Sequence, residues 1–107
     1  MKQIIKISSP NNETMKSFFN LRDKKTRNKE QKFLIEGYHL IEEASKTNYL
    51  ECVITSDEKM IGQFQDILVY YVTDAIIKRL SSTKNPQPIV GVVNMHNYLK
   101  QEGIVTI

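Results

Sequence analysis

Apolar runs alternating with segments of helical periodicity between Phe33 and Met95 predict an α/β sandwich, with helices on both faces of a mixed or mostly parallel sheet. The runs at 50–55, 67–72 and 89–95 are almost continuously apolar, as strands covered on both faces are. The 107-residue chain, 40% hydrophobic and 25% charged, has the balance of one soluble domain. Four Gly and three Pro are too few for a low-complexity linker or a collagen-like chain.

Taken in order, residues 1–9 form a short extended lead, and Pro10 marks a turn. Asn11 or Asn12 caps a helix through its side-chain oxygen. Met15, Phe18 and Phe19 then recur at i, i+3 and i+4, which places this helix at about 11–22. The segment 23–30 has almost no apolar residue and is expected as an exposed helix end or loop. Phe33-Leu34-Ile35 reads as a buried strand running into Glu36-Gly37, where glycine allows a sharp turn. Leu40, Ile41 and Ala44 form the inner face of the next helix. Residues 50–55 are a strand, and Ser56 or Asp57 caps a short helix facing inward with Met60, Ile61 and Phe64. Residues 67–72 are a strand that buries at least one of Tyr70 and Tyr71. Thr73 or Asp74 caps a helix with Ile76, Ile77 and Leu80 inside. Residues 81–88 are a polar loop, 89–95 the last strand, 98–103 a short helix and 104–107 an apolar stub. The whole is expected as a single domain, 1–107, with its core at about 30–96.

Charge is distributed unevenly. Residues 1–35 carry nine Lys and Arg against three acids, a net +6, whereas the remainder carries a net −3. Within the eleven residues from Arg22 to Lys32 there are six basic and two acidic side chains. Such a field draws a polyanion to one end of the molecule. By itself it does not separate DNA, RNA or a membrane surface from a merely solvated face.

Catalytic chemistry has little support. His39 and His96 lie far apart and lack a metal-ligand partner at helical spacing, so no metal is expected. Cys52 cannot form an internal disulfide, and within an apolar strand its thiol is expected to be inert. The glycines at 37, 62, 91 and 103 are isolated, so no glycine-rich loop cradles a pyrophosphate. No stretch reaches the roughly 20 apolar residues of a membrane helix, and the start lacks a signal-peptide core. The cytoplasm is the expected location.

Two stretches carry a family resemblance. Lys25-Thr26-Arg27 followed by Phe33-Leu34-Ile35-Glu36-Gly37, and Ser82-Thr83-Lys84-Asn85-Pro86-Gln87-Pro88-Ile89-Val90-Gly91-Val92-Val93, resemble hallmark segments of the N-terminal substrate-binding domain of SpoU/TrmH-type RNA 2′-O-ribose methyltransferases. The opening Ile7-Ser8-Ser9-Pro10-Asn11 and the segment from Tyr70 to Ser81 are similar as well. The resemblance implies a three-layer α/β/α sandwich around a small mixed sheet, akin to the ribosomal proteins that bind kinked RNA. It further implies a full-length homodimeric enzyme whose C-terminal knotted domain binds S-adenosylmethionine and transfers the methyl group. That domain is absent from these residues, so the chain is expected to bind RNA, to hold no cofactor, and to be inactive alone. Ribosomal RNA is the expected substrate. Pro88 stands where the family usually has glycine, which removes a backbone N–H and fixes φ.

On this reading Arg22, Lys24, Lys25, Arg27, Lys29 and Lys32 supply phosphate contacts, with Arg27 foremost. Backbone N–H groups around Glu36 and Gly37 can receive a phosphate or a looped-out nucleotide, or Glu36 can pair with Arg27 and order the basic loop. Thr83, Lys84, Asn85 and Gln87 offer hydrogen bonds to bases or 2′-hydroxyls. Two other readings compete: a protein-interaction or dimerisation module with an incidental basic loop, and a stand-alone structural RNA-binding protein.

Overall fold

The computed structural model describes residues 3–64 and 66–96. Five strands, β1 (Gln3–Ile7), β2 (Lys32–Glu36), β3 (Leu50–Thr55), β4 (Leu68–Val72) and β5 (Ile89–Asn94), form one mixed sheet in the order β1-β4-β3-β5-β2. β1, β4 and β3 run parallel, and β5 lies antiparallel between β3 and β2. The helices α1 (Glu13–Phe19), α2 (Lys24–Glu30), α3 (Tyr38–Ala44) and α4 (Asp74–Leu80) connect them.

The core divides into two layers, as the sandwich requires. Beneath α1 and α4, one face of the sheet buries Ile7, Cys52, Ile54, Tyr70, Val72, Val90 and Val92 against Met15, Phe18, Leu21, Ile76, Ile77 and Leu80. The opposite face buries Val53, Val69, Ile89 and Val93 against Ile41, Ala44 and Phe64. Alternation of side chains along each strand accounts for this division. Leu50 would share the face of Cys52 and Ile54 on strict alternation, yet it belongs to the other layer. A bulge between Leu50 and Cys52 explains the switch: the two pair with adjacent residues, Val93 and Val92, of β5.

The three-layer sandwich, the helix caps at Asn12 and Thr73, and the inward faces of α1 and α4 agree with the expectations from sequence. Tyr70 is the core tyrosine, packed edge-on against Phe18 with ring centroids 5.8 Å apart. Tyr71 is half-buried. Cys52 is buried, and its thiol is pushed up to about 12 by that burial and by the charge of Glu51, in keeping with an unreactive thiol.

Four details differ. The extended lead is a genuine strand, β1, whose Ile5 and Ile7 pack under the α1–α4 layer, so the core begins at Ile7 and not near residue 30. The first helix does not run to 22: it ends at Phe19, and residues 20–22 form a 3-10 turn. β2 is an edge strand and only half-buried, because it pairs on one side with β5 and on the other side with nothing in the sheet. Leu40 is 53% exposed. Tyr38, Ile41 and Ala44 form the inward stripe of α3, and Leu40 falls about 100° from Ile41. The expected helix at 98–103 and the stub at 104–107 lie outside the described residues.

Gly91 sits where α3 crosses β5. A Cβ there would fall 2.9 Å from Leu50 Cδ1, 3.2 Å from Ile35 Cγ1 and 3.3 Å from Ile41 Cγ1. Three walls from β3, β2 and α3 leave no direction in which a methyl group fits without displacing a core side chain. Gly91→Ala is therefore expected to destabilise the domain by about 1–3 kcal/mol through overpacking. Thermal unfolding followed by circular dichroism would show a midpoint lowered by several degrees; an unchanged midpoint would refute the tight crossing.

Candidate nucleic-acid interface

The basic segment is a helix of its own. α1 ends at Phe19, and the 3-10 turn Asn20–Arg22 is pinned by the buried Leu21. Asp23 then starts α2: its carboxylate accepts from the Thr26 N–H at 3.4 Å and the Thr26 hydroxyl at 3.3 Å. Seven residues without a buried side chain do not hold a helix in water. Arg27 supplies the missing anchor. Its Nη1 donates to the carbonyls of Leu21, at 3.1 Å, and Arg22, at 2.8 Å, satisfying groups at the end of the preceding turn. Gln31 closes α2 in the left-handed region at φ 57°, its backbone N–H donating to the Arg27 carbonyl.

Glu36 does not pair with Arg27. Its carboxylate accepts from the Ser81 hydroxyl, from the Ser82 backbone N–H at 3.0 Å and from the Ser82 hydroxyl at 2.9 Å. Arg27 is engaged with carbonyls instead, and the cation whose field reaches Glu36 is Arg22. Burial pushes the Glu36 carboxyl up, but the bonds from Ser81 and Ser82, aided by Arg22, outweigh it and hold the carboxyl below its usual range. The end of β2 is thereby tied to the turn that follows α4.

Gly37 adopts φ 99°, a conformation suited to glycine, and its N–H donates to the Ile89 carbonyl at 3.2 Å. The Tyr38 N–H donates to Gln87 Oε1 at 2.7 Å. The backbone donors of Gly37 and Tyr38 at this turn, where a phosphate is expected from sequence, are thus engaged within the protein. Gln87 acts here as a side-chain cap for α3.

These ties shape an open cleft of about 540 Å³. Arg22, Lys24, Arg27 and Asn28 form one wall, while Leu34, Glu36 and Ser82 belong to the other. Its charged residues, three cations and Glu36, leave it net positive. Lys25 and Lys29 are exposed on α2 beside it. Lys32 stands apart: its ammonium lies 2.9 Å from Glu51 Oε2 across the sheet, a hydrogen-bonded pair that raises its pKa. Thr83 hydrogen-bonds Ser81 through both its N–H and its hydroxyl, whereas Lys84 and Asn85 are exposed on the loop. Asn28, Ser81 and Ser82 were not singled out from sequence. Serines after a helix look like ordinary turn chemistry, and only the distant Glu36 gives them a site. Among the described residues no group of His, Cys, Asp and Glu could hold a metal ion, and no helix is long and apolar enough to cross a membrane.

The depressed Glu36 carboxyl sets a sign for pH dependence. Its contribution to stability is complete above the ordinary value of 4.5 and disappears as pH falls through the lower folded-state value. Glu36→Gln is expected to cost about 1–3 kcal/mol near neutrality, since it replaces charge-assisted bonds by neutral ones and frees the serines. The gap to the parent should narrow as the medium is acidified below about pH 4.5. Urea unfolding at pH 7 and at pH 3 measures this; a gap independent of pH would refute the assignment.

Comparison with known proteins adds independent findings. The family model of the MRM3-like substrate binding domain matches residues 12–91. Over 98 residues the chain is 35% identical to the 23S rRNA (guanosine(2553)-2′-O)-methyltransferase RlmP of Bacillus subtilis (strain 168), an alignment covering 89% of this chain and 38% of that enzyme. A crystal structure of an RNA 2′-O ribose methyltransferase superposes with a TM-score of 0.70 at 26% identity, covering 85% of this chain and 38% of the other. An rRNA methyltransferase from Sinorhizobium meliloti shares the fold with a TM-score of 0.72 at 23% identity, over 86% of this chain and 37% of its own. The chain spans less than two-fifths of the length of each of these relatives. With a family match over most of its length, the chain belongs to the MRM3-like substrate-binding domain family.

Proposed function

We propose that this domain recognises structured ribosomal RNA on behalf of a 2′-O-ribose methyltransferase, binding the RNA backbone along α2 and its adjoining cleft. One observation carries the reading. Arg22, Lys24, Lys25, Arg27 and Lys29 cluster on one short helix and the turn before it, and among the described residues none of them has an ion-pair partner. A polyanion neutralised by such a cluster releases counterions, the main source of affinity for a nucleic-acid backbone. The relative from Bacillus subtilis, which acts on 23S rRNA, supports ribosomal RNA as the substrate class. Shape and backbone recognition suit this surface better than base stacking, since Phe33, which lines the cleft, packs against the core, and Phe18 and Phe64 are buried. Thr83, Lys84, Asn85 and the end of the 81–88 loop then meet the RNA at the edge of the same face.

S-adenosylmethionine does not suit the basic cleft. Its sulfonium is a cation, and the cleft beside α2 is walled by Arg22, Lys24 and Arg27. Gly37 and Gly91 are packed against Gln87 and against Leu50, so neither opens a cradle for a cofactor. Methyl transfer therefore belongs, on this proposal, to another part of a full-length, homodimeric and cytoplasmic enzyme. One solved rRNA methyltransferase with this fold holds the cofactor.

Titration of a 23S rRNA fragment centred on nucleotide 2553 tests the proposal at several salt concentrations. The triple variant Lys24→Gln, Lys25→Gln and Lys29→Gln should weaken binding and reduce the slope of log K against log salt by about 2–3 units. A protein-interaction module would instead bind RNA weakly and without saturation, and the three substitutions would leave the slope unchanged.

A further inference from the structure

A second cationic groove lies beside the α2 cleft and shares a wall with it. Arg79, in the last turn of α4, lays its guanidinium over the ring of Phe19, with Cζ 4.3 Å from the ring centroid. Arg22 Nη1 donates to the Arg79 carbonyl at 3.2 Å. Phe19, Arg22 and Arg79, with Asn20 and Asp23, line an open groove of about 530 Å³. Arg22 also lines the α2 cleft, so the two depressions adjoin at its side chain.

The stacking has a specific consequence. It keeps the Arg79 guanidinium over the ring, and among the described residues none of its five N–H donors has a hydrogen-bond partner. Among the described residues no carboxylate pairs with Arg79. Asp23, the acid in the groove, is occupied in capping α2 through Thr26. A guanidinium oriented by a neighbour and without a hydrogen-bonding partner is a prepared receptor for a phosphate, because little rotamer freedom remains to be lost on binding. The α4 dipole alone would account for a cation near this helix end, but not for one laid over an aromatic ring next to a second arginine.

We infer that Arg79 is an RNA phosphate-binding residue, and that Arg22 and Arg79 together carry the RNA backbone from the α2 cleft across the seam between α1 and α4. The inference rests on the RNA-recognition reading and extends the footprint beyond the basic segment to α4, where Arg79 lies 57 residues after Arg22.

The test uses the same 23S rRNA fragment, with Arg79→Gln, Arg79→Lys, Phe19→Leu and the α2 triple variant in parallel. Arg79→Gln should weaken binding about three- to tenfold and lower the salt slope by about 1 unit. Arg79→Lys should keep the slope but lose about half of that affinity effect, because an ammonium lacks the planar fork. Phe19→Leu keeps every charge, so the slope should hold while affinity falls about twofold. Thermal melts accompany each variant. If Arg79→Gln melts early, the charge-retaining Arg79→Lys decides the matter. Parental affinity and slope in Arg79→Gln, or parental affinity in a folded Arg79→Lys, would overturn the inference provided the α2 triple variant has lost binding. Parental binding by the triple variant would instead bring down the RNA-recognition reading itself.

Discussion

The arrangement of this surface depends on one carboxylate. Glu36 ends an edge strand, where the backbone is paired on one side only and fraying is easiest. By accepting from Ser81 and Ser82 it joins that strand end to the turn after α4, across 45 residues of sequence. Leu34 and Leu80, which both line the cleft, are thereby held between two secondary elements that share no local connection. An acid inside a net-positive cleft looks out of place. Its charge is absorbed by three donors and by the field of Arg22, which leaves Lys24 and Arg27 to determine the sign of the cleft.

The same economy governs α2. A seven-residue helix with no buried side chain has no hydrophobic reason to exist at this place. It is held by polar ties at both ends: Asp23 at its start, the left-handed Gln31 at its close, and Arg27 gripping the preceding turn. Arg27 thus has a positioning role as well as a charge. One nitrogen orders the scaffold on which Lys24, Lys25 and Lys29 are displayed, and the side chain also lines the cleft. Cations presented on an ordered element lose less entropy on binding than cations on a loose loop.

The sheet supplies the rigidity beneath. Two apolar layers lock its faces, and the bulge at Leu50 allows β3 to serve both layers while Gly91 lets α3 approach closely. The cations gather at the β2 edge, on the face of α1 and α4. The opposite face is closed by α3 and by the segment that carries Phe64.

Much of this was legible in order along the chain. The alternation of strands and helices, the inward stripes of α1 and α4, the inert Cys52 and the position of the charge all follow from local periodicity and composition, which neighbouring residues determine among themselves. The strand nature of residues 3–7 was not legible, because five residues at an edge acquire their identity from pairing with β4. Nor was the exposure of Leu40, which depends on what lies beyond the helix rather than on the helix. The site shows the same division. Sequence alone determined that cations cluster ahead of an apolar strand ending in Glu36-Gly37. Only the tertiary structure decided that Glu36 answers to Ser81 and Ser82, that Lys32 answers to Glu51, that Gln87 covers the turn at Gly37 and that Arg79 lies beside Arg22. Each of those partners is distant in sequence, and a hydrogen bond acts over about 3 Å, so no local pattern can record a choice that exists only once the chain has closed on itself.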